Sequence, residues 1–522
     1  MADSRVENRN PATGELIGSY RLNSAAEVRD LVSRARQLQP AWAELPYRER
    51  SLAMGRVGKA IAARADELAE IVCANNGKTR VDALATEVLP ALLALRFFRG
   101  RGKRLLAPRR LGGGSLLMFN KRSSLQQVPY GVIGVISPWN YPFCIPFAEV
   151  VMALLAGNAV ILKAATDSLA VGAALAECFQ GAGIPEGLFA YVNLPGREAG
   201  EAFIAGGVDK LFFTGSTEVG RELMAKAATR LIPLVLELGG NDAAIIRADA
   251  DLDRAAAGII WSGFSNSGQA CGGAQRILVD RSIYPAFAEK LKARVEALRV
   301  GPGSLFDVDM GCMTSARQKK TVEDQVARCL AGGAKVLATS PLDPGLEKGN
   351  FLPAIVLGDV GPGSPVMREE IFGPVVALVP TSGDEEALRI ANDSTLGLSA
   401  SVWSRDRRAA RALASRIRAG AVMINDHLMS HGLAETPWGG FGDSGLGRTH
   451  SELGFLEMLQ PRVIVDDILP WVKKDIWWQP YSERVYKGLR SIIELLAGAG
   501  PLSRIRGAAG VLRFFLRYWD RS

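Results

Sequence analysis

Apolar and polar positions change their spacing several times along the chain. From Ser24 to about Arg101 apolar residues recur at helical intervals, as in Val57, Ile61, Leu68 and Ile71, which predicts a packed helical segment. Before it, Asn10-Pro11-Ala12-Thr13-Gly14-Glu15 reads as a turn between two short extended pieces. After it, Gly112-Gly113-Gly114 opens an alternating stretch to Gln127, the text of a projecting or bridging hairpin. From Gly131 short apolar runs alternate with helical text. Strands are expected at 132–136, 159–163, 189–194, 210–213 and 233–238, with helices over 146–155, 168–179 and 217–228. Such alternation predicts a parallel sheet with both faces covered, an open nucleotide-binding α/β sheet across roughly 130–240. A second α/β unit follows over about 240–460, with strands near 274–279, 375–378 and 421–424. Past 470 the pattern becomes amphipathic. Residues 482–497 read as a helix with Val485, Leu489, Ile492, Ile493 and Leu496 on one side, and 502–519 mix Ile505, Val511, Leu512, Phe514 and Phe515 with arginines.

Composition narrows the class. A chain of 522 residues exceeds what one core usually holds, so two or more domains are expected. Hydrophobic residues make up 48% and charged residues 22%, as in a globular protein in water. The net charge of +8 is uneven, since residues 470–522 carry ten Lys and Arg against four Asp and Glu. The nearly neutral body gives no reason to expect nucleic-acid binding. Six scattered cysteines with no CxxC pair argue against a disulfide framework or zinc knot and for a reducing compartment. His427 and His431 are four apart but lack the HExxH setting, so no metal is expected. The polar start, Met1 to Pro11, has no apolar core of a signal peptide. The tail holds four of the nine tryptophans (471, 477, 478 and 519), and its last stretch sets arginines beside Phe and Trp. The charge-free run between Glu494 and Arg504 is too short to span a bilayer, so the tail either lies on a membrane surface or docks on protein.

The candidate chemistry centres on Phe264-Ser265-Asn266-Ser267-Gly268-Gln269-Ala270-Cys271-Gly272-Gly273, a lone Cys among residues that allow tight turns. Cys271 alone reads equally as a nucleophile or as a buried small residue. Four strands of the first sheet end in polar text. Asn140, in Ser137-Pro138-Trp139-Asn140, is a turn amide or a functional one; Lys163 follows Ile161-Leu162. Gly215 and Ser216 stand at a helix N-terminus, where free N–H groups suit a phosphate. Glu237 ends an apolar strand, where a carboxylate is either paired or functional.

Together these segments resemble the aldehyde dehydrogenase superfamily from about Pro11 to about Pro461. The resemblance rests on SPWNYPF (137–143), Lys163, FTGSTEVG (213–220), LELGGNDA (236–243), GQAC (268–271) and EEIFGPV (369–375), with PWGGF (437–441) and SGLGR (444–448) later. It implies a Rossmann-like nucleotide-binding domain, an α/β catalytic domain and a β-hairpin oligomerisation arm. The implied division is 1–107 with 128–238 for the dinucleotide, 239–457 for catalysis, 108–127 with 458–469 as bridging segments, and 470–522 as an added amphipathic tail. It also implies Cys271 as nucleophile, Asn140 and the Cys271 N–H as oxyanion hole, and Glu237 as activator of water. Trp139, Lys163, Thr166, Gly215, Ser216, Glu370 and Phe372 are the implied cofactor contacts. Thr166 stands three residues after Lys163, where many NAD-using members carry a Glu; a hydroxyl there does not repel a 2′-phosphate, so the cofactor is expected to be NAD or NADP.

Tyr141, Trp261, Phe264 and Trp438 are candidates for an aromatic substrate funnel, or simply for packing. No basic residue is clearly placed to fix a substrate carboxylate, which favours apolar aldehydes over succinate-semialdehyde-type substrates. Glu237 favours water over CoA as acyl acceptor; a Cys hydrolase would need a His base near the motifs, and a non-catalytic scaffold would not be expected to keep Cys271, Glu237 and Asn140. The remaining expectations are a homodimer or homotetramer, a small-molecule aldehyde substrate, and a cytoplasmic enzyme that contacts the inner face of a membrane if its tail does so.

Overall fold

A computed structural model describes residues 5–113, 118–469, 471 and 474–519; Gly114 and the side chain of Trp519 lie outside the described residues. The expected turn at Asn10–Glu15 joins the strands Arg5–Arg9 and Leu16–Arg21. The helical segment comprises Ala25–Glu44, Tyr47–Ala63, Ala65–Asn76, a short run from Arg80, and Leu89–Leu106.

The first sheet places its parallel strands in the spatial order Leu234–Glu237, Lys210–Thr214, Val132–Ile136, Ala159–Lys163, Phe189–Val192. Gly445–Leu446 adds an antiparallel edge, with Gly445 opposite Glu237. The chain winds outward in both directions from Val132–Ile136, so the switch point lies between that strand and Lys210–Thr214. Ligands of such sheets bind outside the carboxyl ends of the strands at that point. Every residue of Val132–Ile136 and Ala159–Lys163 is buried, which is why they read as continuous apolar runs. The helix Cys144–Ala156 is buried at all thirteen positions and stops at Gly157, whose φ of 97° is left-handed.

The second sheet has seven strands in the order Lys335–Thr339, Ile355–Gly358, Val375–Thr381, Ala274–Asp280, Asp242–Ile246, Ser399–Trp403, Ala421–Ile424. Only the Lys335–Thr339 pairing is antiparallel. Both sheets belong to one compact unit, which runs to Leu106 and resumes over Gln127–Gln460.

A second unit contains Ala107–Gln126 and the chain from Pro461. Arg109–Arg110 pairs with Lys121–Pro129, Arg110 opposite Ser124, and Leu459–Asp467 completes a three-stranded ribbon. The tail forms two helices, Glu483–Ala497 and Pro501–Phe515, packed on one another around Ile476, Val485, Ile492, Val511 and Phe514. Lys121 pairs with Asp467 at 2.6 Å and with the buried Asp475 at 2.7 Å. The apolar stripe expected on the first tail helix divides. Val485 and Ile492 face the partner helix, whereas Ile493 and Leu496 are 62% and 69% exposed. The stripe is wider than one helix contact can cover.

Candidate active site

The Cys271 turn follows the helix Leu252–Phe264. Asn266, Ser267 and Gly268 take φ values of 52°, 54° and 69° in succession, and each non-glycine residue there costs about 1–2 kcal/mol. Hydrogen bonds hold the turn in this state. The Asp82 carboxylate accepts from Ser265 Oγ at 3.0 Å and from Asn266 N at 3.1 Å. Gln269 donates to Asn266 O at 3.0 Å, and its Oε1 accepts from Thr314 N at 2.9 Å. Gly240 packs so closely that a Cβ there would run into the Cys271 carbonyl oxygen. Cys271 is the one cysteine of the six with partial exposure. Burial pushes its thiol pKa up, and the charges of Glu370, Asp242 and Glu237 push in the same direction.

Asn140 donates one Nδ2 hydrogen to Gln269 O at 3.1 Å, two residues before Cys271, which leaves its second amide hydrogen for a ligand. Its own carbonyl accepts from Asn266 Nδ2 and from Lys78 Nζ, both at 2.9 Å. Lys78 and Glu87 form an ion pair of 2.7 Å with both side chains fully buried. The other Glu87 oxygen accepts from Phe143 N at 3.1 Å and Cys144 N at 2.8 Å. Glu87 lies in a π-helical turn, Leu84–Val88, a distortion frequent at functional sites. Lys78, Asp82 and Glu87 escaped the sequence reading, which took their segment as packing. The available signal was Glu87 itself, an acid on the helical stripe of the buried Ala83 and Ala91.

Glu237 ends its strand 5% exposed, and neither carboxylate oxygen has a hydrogen-bond partner. It is not the half of a salt bridge. Burial raises its pKa well above the carboxylate range; the charge of Glu149 adds to this and Arg448 offsets part. Cys271, Glu237, Glu149, Thr214, Trp438 and His431 line one small pocket. Burial holds His431 and His450 neutral, with pKa values lowered to about 4 and about 3. Of the expected aromatic funnel only Trp438 lines this pocket. Phe264 belongs to the core of the second sheet, Tyr141 is buried beneath Lys78 Nζ at 4.3 Å, and Trp261 stays 39% exposed. His431, edge-on to Trp438 at 5.1 Å, is the aromatic residue that the sequence reading missed.

A larger cleft of about 680 Å³ opens at the switch point, lined by Trp139, Lys163, Thr166 and Gly215 among others. Thr214 lines both cavities, so the thiol pocket and the cleft meet at the end of one strand. Burial lowers Lys163 to about 8, with Asp167 opposing. Ser216 is not among the lining residues; its hydroxyl caps the helix Thr217–Ala228 by accepting from Val219 N at 3.4 Å. Glu370 stands near the thiol side, where Gly240 N donates to its Oε1 at 3.0 Å, and burial raises it to about 7. The Phe372 ring meets Trp139 edge-on at 5.3 Å. Gln275, Gln318 and Gln325 fix this loop through Ile371 N, Phe372 O and Glu370 O. Two buried hydroxyls on the cleft, Ser137 Oγ and Thr214 Oγ1, have no partner. A cleft of this size at the switch point, with a lysine and unpaired hydroxyls, fits a dinucleotide.

Comparison with known proteins agrees. The model of the aldehyde dehydrogenase family matches residues 1–464. A 4,4'-diapolycopene aldehyde oxidase of Methylomonas sp is 37% identical over 488 residues, covering 94% of this chain and 90% of that protein. An aldehyde dehydrogenase of Mycobacterium tuberculosis complexed with NAD+ superposes with a TM-score of 0.84 at 33% identity, over 89% of this chain and 95% of that one. An NADP dependent enzyme of E. coli gives 0.85 at 32% identity, over 89% and 95%. With this match along nearly its whole first 464 residues, the chain belongs to the aldehyde dehydrogenase family, oxidoreductases that act on the aldehyde group with NAD or NADP.

Proposed function

We propose that this enzyme oxidises an apolar, long-chain aldehyde to its acid and accepts NADP alongside NAD. The observation that carries the reading is one pocket holding Cys271 and an unpaired, buried Glu237, joined to the dinucleotide cleft at Thr214. Among the described residues no Lys or Arg lines that pocket, and two carboxyls do, so an anionic semialdehyde finds no counter-charge from them there. The Methylomonas relative is named for an aldehyde of an apolar polyene, which supports the same substrate class.

The six-stranded sheet serves the dinucleotide and the seven-stranded sheet supplies the nucleophile. Cys271, having given up its proton, attacks the aldehyde carbon. The free amide hydrogen of Asn140 and the Cys271 N–H meet the developing alkoxide; one such donor is typically worth about 3 kcal/mol in the transition state. A bound oxidised nicotinamide supplies the hydride acceptor. Lys163 and Thr166 would hold the adenosine ribose, Gly215 the pyrophosphate, and Glu370 the nicotinamide ribose, with Trp139 and Phe372 packed at that end. Glu237 then takes a proton from water as its oxygen attacks the thioester, the C–S bond breaks, and Cys271 leaves as thiolate. With Thr166 in place of a carboxylate, a 2′-phosphate meets no like charge at that position.

The chain assembles as a homodimer or homotetramer. Leu459–Asp467 supports this as an edge strand with Val463, Ile464 and Val465 all at least 42% exposed. Among the described residues no helix is long and apolar enough to cross a membrane, and the tail helices make a peripheral contact with the cytoplasmic face of one. Cys271→Ser tests the core of the reading: absorbance at 340 nm should stay flat with any aldehyde and either nucleotide. Undiminished nucleotide reduction by that variant would overturn it.

A further inference from the structure

The helix Cys144–Ala156 contributes one charged side chain to the thiol pocket. Glu149 is 2% exposed, its Oε2 has no partner, and it lines the same pocket as Glu237 and Cys271. An acid in a fully buried helix costs several kcal/mol unless it is protonated, paired or used. Glu149 has no ion-pair partner among the described residues, and neither does Glu237. Two unpaired carboxyls in one buried pocket resist ionising together, so the pair retains a proton that either can hold.

We propose that Glu149 takes the proton on from Glu237 during thioester hydrolysis, so that the pocket works with two carboxyls instead of one. Glu149 matters in this way only if Glu237 activates water, as proposed above. The balance is simple. Water gives one proton to the Glu237 carboxylate and its oxygen to the acyl carbon; the C–S bond breaks; Cys271 departs as thiolate and the acid keeps the second hydrogen. Glu237 is then a neutral acid and no longer a base. Glu149, which held the pair's proton while Glu237 acted as base, releases that proton to solvent and takes the one on Glu237, directly or across one water, which restores the carboxylate for the next turnover. Glu149 acts through Glu237 and is a proton-positioning residue.

The charged and titratable groups that face the pair come from several elements. They are Cys271 on its turn, His431 and His450 from the late loop, and Arg448 beside Glu237. Both histidines are held neutral by burial, and Lys78 disfavours a charge on His431 further. Neither therefore both gains and loses a proton near neutrality. Glu149, raised to about 8 by burial alone, does.

Stopped-flow reduction of nucleotide by the full-length Glu149→Gln enzyme, with a medium-chain aliphatic aldehyde and saturating NADP, decides the matter. The burst of about one nucleotide per Cys271 should persist, because acylation and hydride transfer are untouched. The steady rate after it should fall at least about tenfold, the lower end of what proton-transfer catalysis usually contributes. The acid limb of kcat should move to lower pH, because removing a neighbouring negative charge makes Glu237 easier to ionise. Glu149→Leu, an apolar replacement that no longer buries a polar group, should behave the same way, and Glu149→Asp should recover part of the lost rate. Wild-type turnover with an unshifted pH profile in the Gln and Leu variants would overturn the proposal. So would loss of the burst, which would place Glu149 in acylation or in holding the fold. Either failure with Cys271→Ser still inactive leaves the aldehyde dehydrogenase reading standing.

Discussion

At the scale of single residues, the surroundings of Cys271, the proposed nucleophile, disfavour the state that attack requires. The thiolate is the reactive form, and burial with three carboxyls nearby disfavours it. A thiol whose pKa is raised carries little thiolate at neutral pH. Alkylation of free enzyme by iodoacetamide should therefore be slow and climb with pH through the usual thiol range near 8.5 without levelling. The other five cysteines are buried, so labelling reports Cys271; a plateau at or below pH 8.5 would show an ordinary or activated thiol instead. The proposed acceptance of NADP also rests on one position, Thr166. Thr166→Glu sets a carboxylate against a 2′-phosphate, a repulsion of ~1–4 kcal/mol at contact distance. The KM for NADP should rise roughly tenfold or more while that for NAD holds or falls; steady-state kinetics with both nucleotides check this, and an unchanged NADP KM would remove Thr166 from the choice. Glu237 drew notice in the sequence because it ends an apolar strand, where a carboxylate needs a reason; Cys271 and Asn140 did so through the Gly-rich turn and the polar strand end that carry them. Glu149 did not. Its helix is buried on every side, so no amphipathic pattern marks which face meets the site.

At the scale of elements, the five parallel strands of the first sheet were readable as short apolar runs with polar ends, whereas of the second sheet's seven only those near 274–279, 375–378 and 421–424 were. What the text did not show is that a helical segment far upstream reaches into the site. Lys78 and Glu87 hold the carbonyl of Asn140 and the N–H groups of Phe143 and Cys144, so the loop that carries Asn140 is fixed from outside its own sheet. A helical stripe reports that a face is covered, not what covers it. Lys78→Met should cost ~3–5 kcal/mol in denaturant unfolding, because it leaves Glu87 ionised and unpaired in the interior. Adding Glu87→Met should return part of that stability by removing the stranded charge. It should not return activity, since two buried N–H groups then lack an acceptor and Asn140 loses its support. A kcat loss approaching ~10²–10³, the cost of an absent oxyanion donor, is expected in both variants; wild-type kcat in the double variant would show that the loop orders itself.

At the scale of the whole molecule, the tail carries a surface that a protein dissolved in water does not ordinarily leave bare. Packing between its helices uses small residues, with Gly488 against the Phe514 ring and Gly507 against the Leu495 backbone. That closeness buries Val485, Ile492, Val511 and Phe514, but Leu496, Leu502, Ile505, Leu512 and Leu516 remain at least 62% exposed. Arg490, Arg504, Arg506 and Arg513 are exposed among them. Arg517 departs from the surface role expected of tail arginines: it is buried, donating to the carbonyls of Trp478 and Pro480. Apolar side chains interleaved with arginines match an interface of acyl chains beneath anionic headgroups, where each basic residue near the surface contributes about 1 kcal/mol. Full-length enzyme should therefore float with vesicles containing anionic lipid, less so as salt screens the arginines. Enzyme truncated after Asp467 should stay in the soluble fraction. A water-soluble short aldehyde should be oxidised equally by both, whereas a long-chain aldehyde presented in vesicles should favour the intact chain, because only that form shares a surface with its substrate. Equal flotation of the two forms would exclude the membrane role. If truncation instead lowered the oligomer mass with no vesicle binding by either form, the exposed leucines would belong to a contact between copies of this chain.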